Sequence, residues 1–266
     1  MSLTGNNTQT GEVQSPNVPA NQGFMASIYG FFDGIAKHTK GVALLVAAMV
    51  VIGVAIAFVM NQRDEQAVSG RNALYSAHKS IETGIKTMAE AAAPAAPQPA
   101  GSSVPKAGPD LNAWMFKKFD VDAKLAPGVK MLGDVSTKFK GTRPGFEAEL
   151  ELGNLYFNHG EPLKAVPWFE KAALGAPSIF ERALAYSSQG YALENAEKYG
   201  DAAQVYEKAL NLGEETLKGD LLLAMARSYE GAKEFVKAKG VYDRIIKDLP
   251  STEAAKSAEN FKSQIE

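Results

Sequence analysis

Residues 152–177 read LGNLYFNHGEPLKAVPWFEKAALGAP, and the spacing inside this stretch decides the fold. Seven residues carry the pattern: Leu152, Gly153, Tyr156, Ala165, Phe169, Ala172 and Pro177. Together they describe two antiparallel helices. Gly153 and Ala165 are small where the helices must approach each other. Phe169 fills the space against a following unit, and Pro177 stops the second helix. The stretch has two further copies. Gly190, Leu193, Ala202, Tyr206 and Ala209 repeat the spacing 37 residues on, and Ala226, Tyr229, Ala238, Tyr242, Ile245 and Pro250 repeat it after another 36. The three second helices read alike: PLKAVPWFEKAA, YGDAAQVYEKAL and FVKAKGVYDRII. A helix pair cannot bury its apolar face alone, so such units must stack.

This pattern resembles the tetratricopeptide repeat (TPR), whose ideal period is about 34 residues, so the loops between units carry small insertions. The units fall at about residues 146–179, 183–216 and 219–252 of a domain spanning 121–266. Residues 251–265 then form a terminal helix that covers the last unit. Ser251 is its expected N-cap, Glu253 lies in its first turn, and Ala254, Ala255, Ala258 and Phe261 make its inner face. Residues 127–140 read as the second helix of a degenerate earlier unit, with Val129, Leu132, Val135 and Phe139 on one side. Its partner would be residues 63–92, where Ala67, Leu74, Ala77, Ile81, Ile85 and Met88 recur at helical spacing.

Upstream, residues 41–60 read GVALLVAAMVVIGVAIAFVM, with no charge and no proline. At about 1.5 Å per residue this run reaches across a bilayer core of about 30 Å. We read residues 37–62 as a transmembrane helix with residues 41–60 at its core. Charge counts on the two sides do not orient it: Lys37 and Lys40 stand against Arg63, Arg71 and Lys79. Gly53 and Ala57 make a small-xxx-small pair that lets another helix approach, which leaves a homo-oligomer open. Residues 1–36 read as a disordered tail ending in an aromatic interfacial segment with Tyr29, Phe31 and Phe32. Residues 93–120 form a Pro/Ala-rich linker or insertion, with five prolines in residues 93–109. Within it, LNAWMFKKF (residues 111–119) is an apolar patch without a clear place in the repeat frame. The expected fold class is therefore all-α: a transmembrane helix, a TPR helical-hairpin solenoid and a C-terminal capping helix.

The 266-residue chain has a net charge of −2 and no cysteine. That balance gives no sign of nucleic-acid binding, and the missing cysteine removes disulfides and thiolate metal sites. His38, His78 and His159 lack metal spacing and read as solvated or capping. No P-loop, G-x-S-x-G or H-E-x-x-H is present, and the repeat glutamates read as ordinary surface residues, so no enzyme, metal or cofactor is expected.

The architecture, a short tail, one span and TPR units ending in a charged helix, resembles bacterial inner-membrane proteins of the YfgM type, ancillary subunits of the Sec translocon. The resemblance implies a cytoplasmic N-terminus, periplasmic repeats, and a scaffold serving translocon-linked export or hand-over to periplasmic chaperones. A structural adaptor of a cell-envelope or division assembly is the alternative. Either way, the expected partners are proteins. They would meet the groove lined by the first helix of each pair: Leu150, Asn154, Phe157, Asn158, Tyr191, Glu194, Leu223, Arg227 and Glu230. From residue 141 onward the chain carries 15 Lys and Arg against 20 Asp and Glu. The groove is therefore expected to favour apolar or basic segments, and a clamp for C-terminal carboxylates is not expected.

Overall fold

The computed structural model describes residues 39–92, 114 and 116–265, with side chains from residue 47 onward apart from Arg63. The expected N-terminal tail, its aromatic segment and most of the Pro/Ala stretch lie outside the described residues. The chain divides into two units, residues 1–62 and 63–266.

In the first unit, the described chain is the opening part of helix α1, Thr39–Ala92. The large apolar side chains here, from Met49 to Met60, are all exposed. By length and composition, α1 is apolar enough to cross a membrane.

The second unit is all-helical among its described residues, built as stacked helical hairpins of the TPR kind. Its helices are α2 (Val121–Lys138), α3 (Arg143–Asn158), α4 (Pro162–Gly175), α5 (Ile179–Asn195), α6 (Tyr199–Leu210), α7 (Lys218–Gly231), α8 (Phe235–Asp248) and α9 (Glu253–Gln264). Hairpins α3–α4, α5–α6 and α7–α8 carry the three repeats, and α9 closes the stack with Ala255 and Ala258 buried.

The glycine and aromatic of each repeat are partners. A Cβ on Gly153 would stand 2.5 Å from the Phe169 ring, and one on Gly190 would stand 2.5 Å from the Tyr206 ring. Each ring therefore lies on the first helix of its own hairpin, rather than only filling space toward the next unit. The interlock between units is made elsewhere. Tyr199, at the start of α6, packs where a Cβ on Gly231 of α7 would be. Ala165, Ala202, Ala226 and Ala238 are fully buried at the helix crossings, Tyr156 is nearly so, and Tyr229 is half-buried. Small side chains permit this close approach, and the rings recover the apolar contact.

The part of α1 from residue 64 onward belongs to this core. Ala77 and Ile81 are buried with Val121, Leu125 and Leu132 of α2. Gly70 lies against Pro144 and Phe139, Gly84 against Leu125, and Gly128 against Ile81. His78 Nδ1 is 2.9 Å from Glu151 Oε1 across to α3.

Three local expectations change. The helix expected over residues 127–140 starts at Val121, where the Asp120 side chain accepts from the Ala123 amide. Pro127 lies inside it, and the helix kinks at Leu125 (φ −122°, ψ 20°). Proline lacks an amide hydrogen and crowds the carbonyl four residues back, so the turn before it opens instead of ending the helix. The terminal helix is capped by Thr252, whose side chain accepts from the Ala255 amide, and not by Ser251. Ser251 has φ +66° and forms the turn before the cap. His159 is the C-cap of α3, but it is not solvated: it is 3% exposed, and its ring stacks on Phe119 at 4.1 Å. The Lys117 carbonyl lies 2.8 Å from its Nδ1. Phe119 donates its amide to the His159 carbonyl, so the end of the unplaced LNAWMFKKF patch is pinned to the α3–α4 turn.

Candidate protein-binding groove

The nine groove residues come from α3, α5 and α7. Their spacing of three, four and seven along each helix puts them on one face. On α3, Asn154 is exposed, and Leu150, Phe157 and Asn158 are half-buried. On α5, Tyr191 is 44% exposed, and Leu184 beside it is 40% exposed. On α7, Leu223 and Glu230 are half-buried. Phe116 borders a cleft with Phe157, Asn158, Pro162 and Asn195, so the chain just ahead of α2 meets the edge of this face.

Three of the nine residues are tied together. Arg227 donates from Nη2 to Glu194 Oε2 at 2.8 Å, and Ser228 donates to Glu194 Oε1 at 2.6 Å. The Arg227 guanidinium lies 5.3 Å from the centre of the Tyr191 ring, within cation–π range. Tyr191 in turn meets Tyr206 edge-to-face at 6.1 Å. The Glu194 side chain is only 10% exposed, so it is not a surface carboxylate. Burial, followed by the Glu194 carboxylate, pushes the Tyr206 phenol up. Arg227 is thus committed to a neighbouring repeat and not held open for an incoming carboxylate. In the third unit Glu230 accepts from the Tyr242 hydroxyl at 2.7 Å. With Glu194 partnered in this way, Tyr191 and Leu184 are the exposed large apolar side chains of this face in the second repeat.

A second polar feature lies away from the groove, and the sequence reading missed it. Glu149 on α3 is 6% exposed, and its Oε1 accepts from the Ser136 hydroxyl of α2 at 2.9 Å. Burial pushes its carboxyl above the ordinary glutamate range, against the opposing pull of Ser136, Lys171 and Lys140. The signal was available. In the TPR pattern W-x2-L-G-x2-Y, the residue three before the leucine is tryptophan, and three before Leu152 stands Glu149.

Between the ordinary glutamate value and the raised value of Glu149, the folded chain holds a proton that the unfolded chain has lost. Stability therefore falls as pH rises through that window, and the cost is complete above it. Glu149→Gln is expected to abolish this fall, so that variant and wild type converge in melting temperature at the acid end and separate above it. Thermal unfolding across a pH series measures the difference. Asp122 titrates in the opposite sense. The Lys164 ammonium and Tyr156 hydroxyl hold its carboxyl below its usual range, and its contribution is present above that range and lost as pH falls.

No protein-family model matches the chain, and no curated protein matches it. Two solved structures are similar: a Podosopora anserina putative kinesin light chain with nearly identical TPR-like repeats, and a single-substitution form of that same protein. Each shares 14% identity over 54% of this chain and 78% of its own, with a TM-score of 0.43.

Proposed function

We propose that this chain is a membrane-anchored scaffold whose groove holds a segment of a partner protein. The observation that carries the groove is the exposed Tyr191 beside Leu184 and half-buried Phe157, an apolar face whose nearby charges are already partnered. Apolar anchors with few competing ions suit a segment presenting aliphatic or aromatic side chains, as in other groove-binding modes. The apolar start of α1 supports anchoring. Placement in a bacterial inner membrane, with the repeats periplasmic and a role in export or chaperone hand-over, rests on the architectural likeness to YfgM-type proteins.

One experiment tests both halves. The full chain and a Phe157→Ala/Tyr191→Ala variant are expressed in bacteria, crosslinked in intact cells, and recovered from carbonate-washed membranes. Both proteins are expected in the membrane pellet. Recovery of crosslinked partner is expected to fall at least about tenfold in the variant, since truncating a central aromatic anchor often costs about 2 kcal/mol. Release of the chain by carbonate overturns the anchor. Equal partner recovery from two folded proteins overturns the groove.

A further inference from the structure

Glu149 occupies a core position of the first hairpin where the repeat pattern calls for tryptophan. The matching positions in the other repeats are Tyr186 and Leu222. A carboxylate is much smaller than an indole. A cavity of about 420 Å³ lies at this point, between the C-terminal ends of α2 and α4, with Ser136, Lys140, Glu149, Lys171, Leu174 and Gly175 among its walls. That volume is in the range of small-molecule sites.

Among the described residues, Glu149 makes one hydrogen bond inside the cavity and no ion pair. Glu149 is nine-tenths buried, and the hydrogen bond it accepts from Ser136 uses Oε1. Oε2 is turned toward Gly175, 3.4 Å from where a Cβ there would stand. Among the described residues, neither Lys140 nor Lys171 makes an ion pair. The Lys171 ammonium lies 4.0 Å from the centre of the Trp168 ring instead. Lys171 and Lys140 pull the Glu149 carboxyl down without reaching ion-pair range, and burial still holds it above the ordinary glutamate range. An ammonium against Glu149 would favour its ionised form, and an anion beside the two lysines would gain a charge that Glu149 meets only at a distance.

We propose that this cavity is a binding site for a small zwitterion of the amino-acid class, with its ammonium on Glu149 and its carboxylate on Lys140 and Lys171. Leu174, 70% exposed, gives an apolar wall for the side chain of the ligand. The site is independent of the partner groove, since it is built on residues the groove does not use.

Trp168 provides the readout, because an anion drawn to Lys171 changes the charge next to its indole. The full chain in detergent micelles, carrying Trp114→Phe so that Trp168 alone reports, is titrated separately with L-leucine, L-serine, L-glutamate and L-lysine. At least one is expected to give a saturable fluorescence change. The same ligands are titrated by isothermal calorimetry, which does not depend on Lys171 for its signal, into wild type, Glu149→Gln and Lys140→Ala/Lys171→Ala. Each variant is expected to weaken binding at least about tenfold, the scale of a lost charge-assisted hydrogen bond. For the amino acid that binds, the matching amine without the carboxylate and the matching acid without the amine are each expected to bind more weakly by a similar factor. The lysine pair is near the surface, so the double variant keeps the test available should Glu149→Gln disturb folding. No saturable change with any of the four amino acids overturns the proposal. So does wild-type affinity in the folded variants, or a single-charge analogue that binds as tightly as the zwitterion.

Discussion

Replacing Gly153 with leucine lowers the melting temperature by roughly 6 °C. Two effects oppose each other. Leucine is the better helix former, by up to about 1 kcal/mol relative to glycine. Against that, even a Cβ at this position would stand 2.5 Å from the Phe169 ring. Phe169 is 1% exposed and has no room to withdraw. Overpacking a closed core costs about 1–3 kcal/mol, occasionally more, and leucine adds three carbons beyond that Cβ, so the steric cost wins at the upper end of the range. A steric cost of about 3 kcal/mol less a propensity gain of about 1 kcal/mol leaves about 2 kcal/mol, the stated shift in a domain of roughly 200 residues. Gly240→Ala in α8 is the control. Nothing lies within 4 Å of its Cβ position, so only the propensity gain remains. That variant is expected to gain about 0.5–1 kcal/mol. Circular dichroism melts of the full chain in detergent decide both. An unchanged melting temperature for Gly153→Leu means the hairpin is not closed by the Gly153–Phe169 contact.

Ile81→Ala should destabilise the repeat domain by about 2–5 kcal/mol, the usual cost of emptying a buried isoleucine site. Ile81 is 7% exposed, and its Cδ1 fills the place where a Cβ on Gly128 would stand. The residue lies far from the three repeats in sequence, on the other side of the Pro/Ala stretch. A large effect on their unfolding therefore demonstrates that residues 63–92 complete the first helical layer. Tyr75→Ala serves as the matched surface change, since Tyr75 is 68% exposed on the same helix. Its effect is expected within about 0.5 kcal/mol. If Ile81→Ala leaves the melt where Tyr75→Ala does, residues 63–92 are an appendage and not part of the core.

Much of the repeat domain was legible because its pattern is local. Gly153 with Phe169, and Gly190 with Tyr206, sit sixteen residues apart in both repeats, and a helical hairpin brings that spacing together whatever surrounds it. Helix boundaries were less legible. Pro127 reads as a start because proline is at home in a first turn, yet Asp120 offers a better cap and the helix absorbs the proline as a kink. Ser251 and Thr252 are chemically equivalent caps, and the choice between them depends on which one the turn leaves in an extended conformation.

The charged residues were the least legible. Arg227 and Glu194 belong to different hairpins, 33 residues apart, and each alone reads as a solvated groove side chain. Only the stacking of α7 on α5 brings them within 2.8 Å and commits each charge to the other. Glu149 looks like one more surface glutamate until α2 and α4 enclose it. The pinning of Phe119 on His159 likewise joins residues distant in sequence and follows no periodic rule.

The residue order by itself determined the helical hairpins of the repeats, because steric fit between a glycine and a ring depends on spacing along one short stretch. It also supplied the apolar run that opens α1. Which polar groups are buried, which charges are already paired, and where a cavity opens were decided only by the tertiary structure. Burial and electrostatic partnership depend on which distant helices come to lie over a side chain, and neither is encoded in its sequence neighbours.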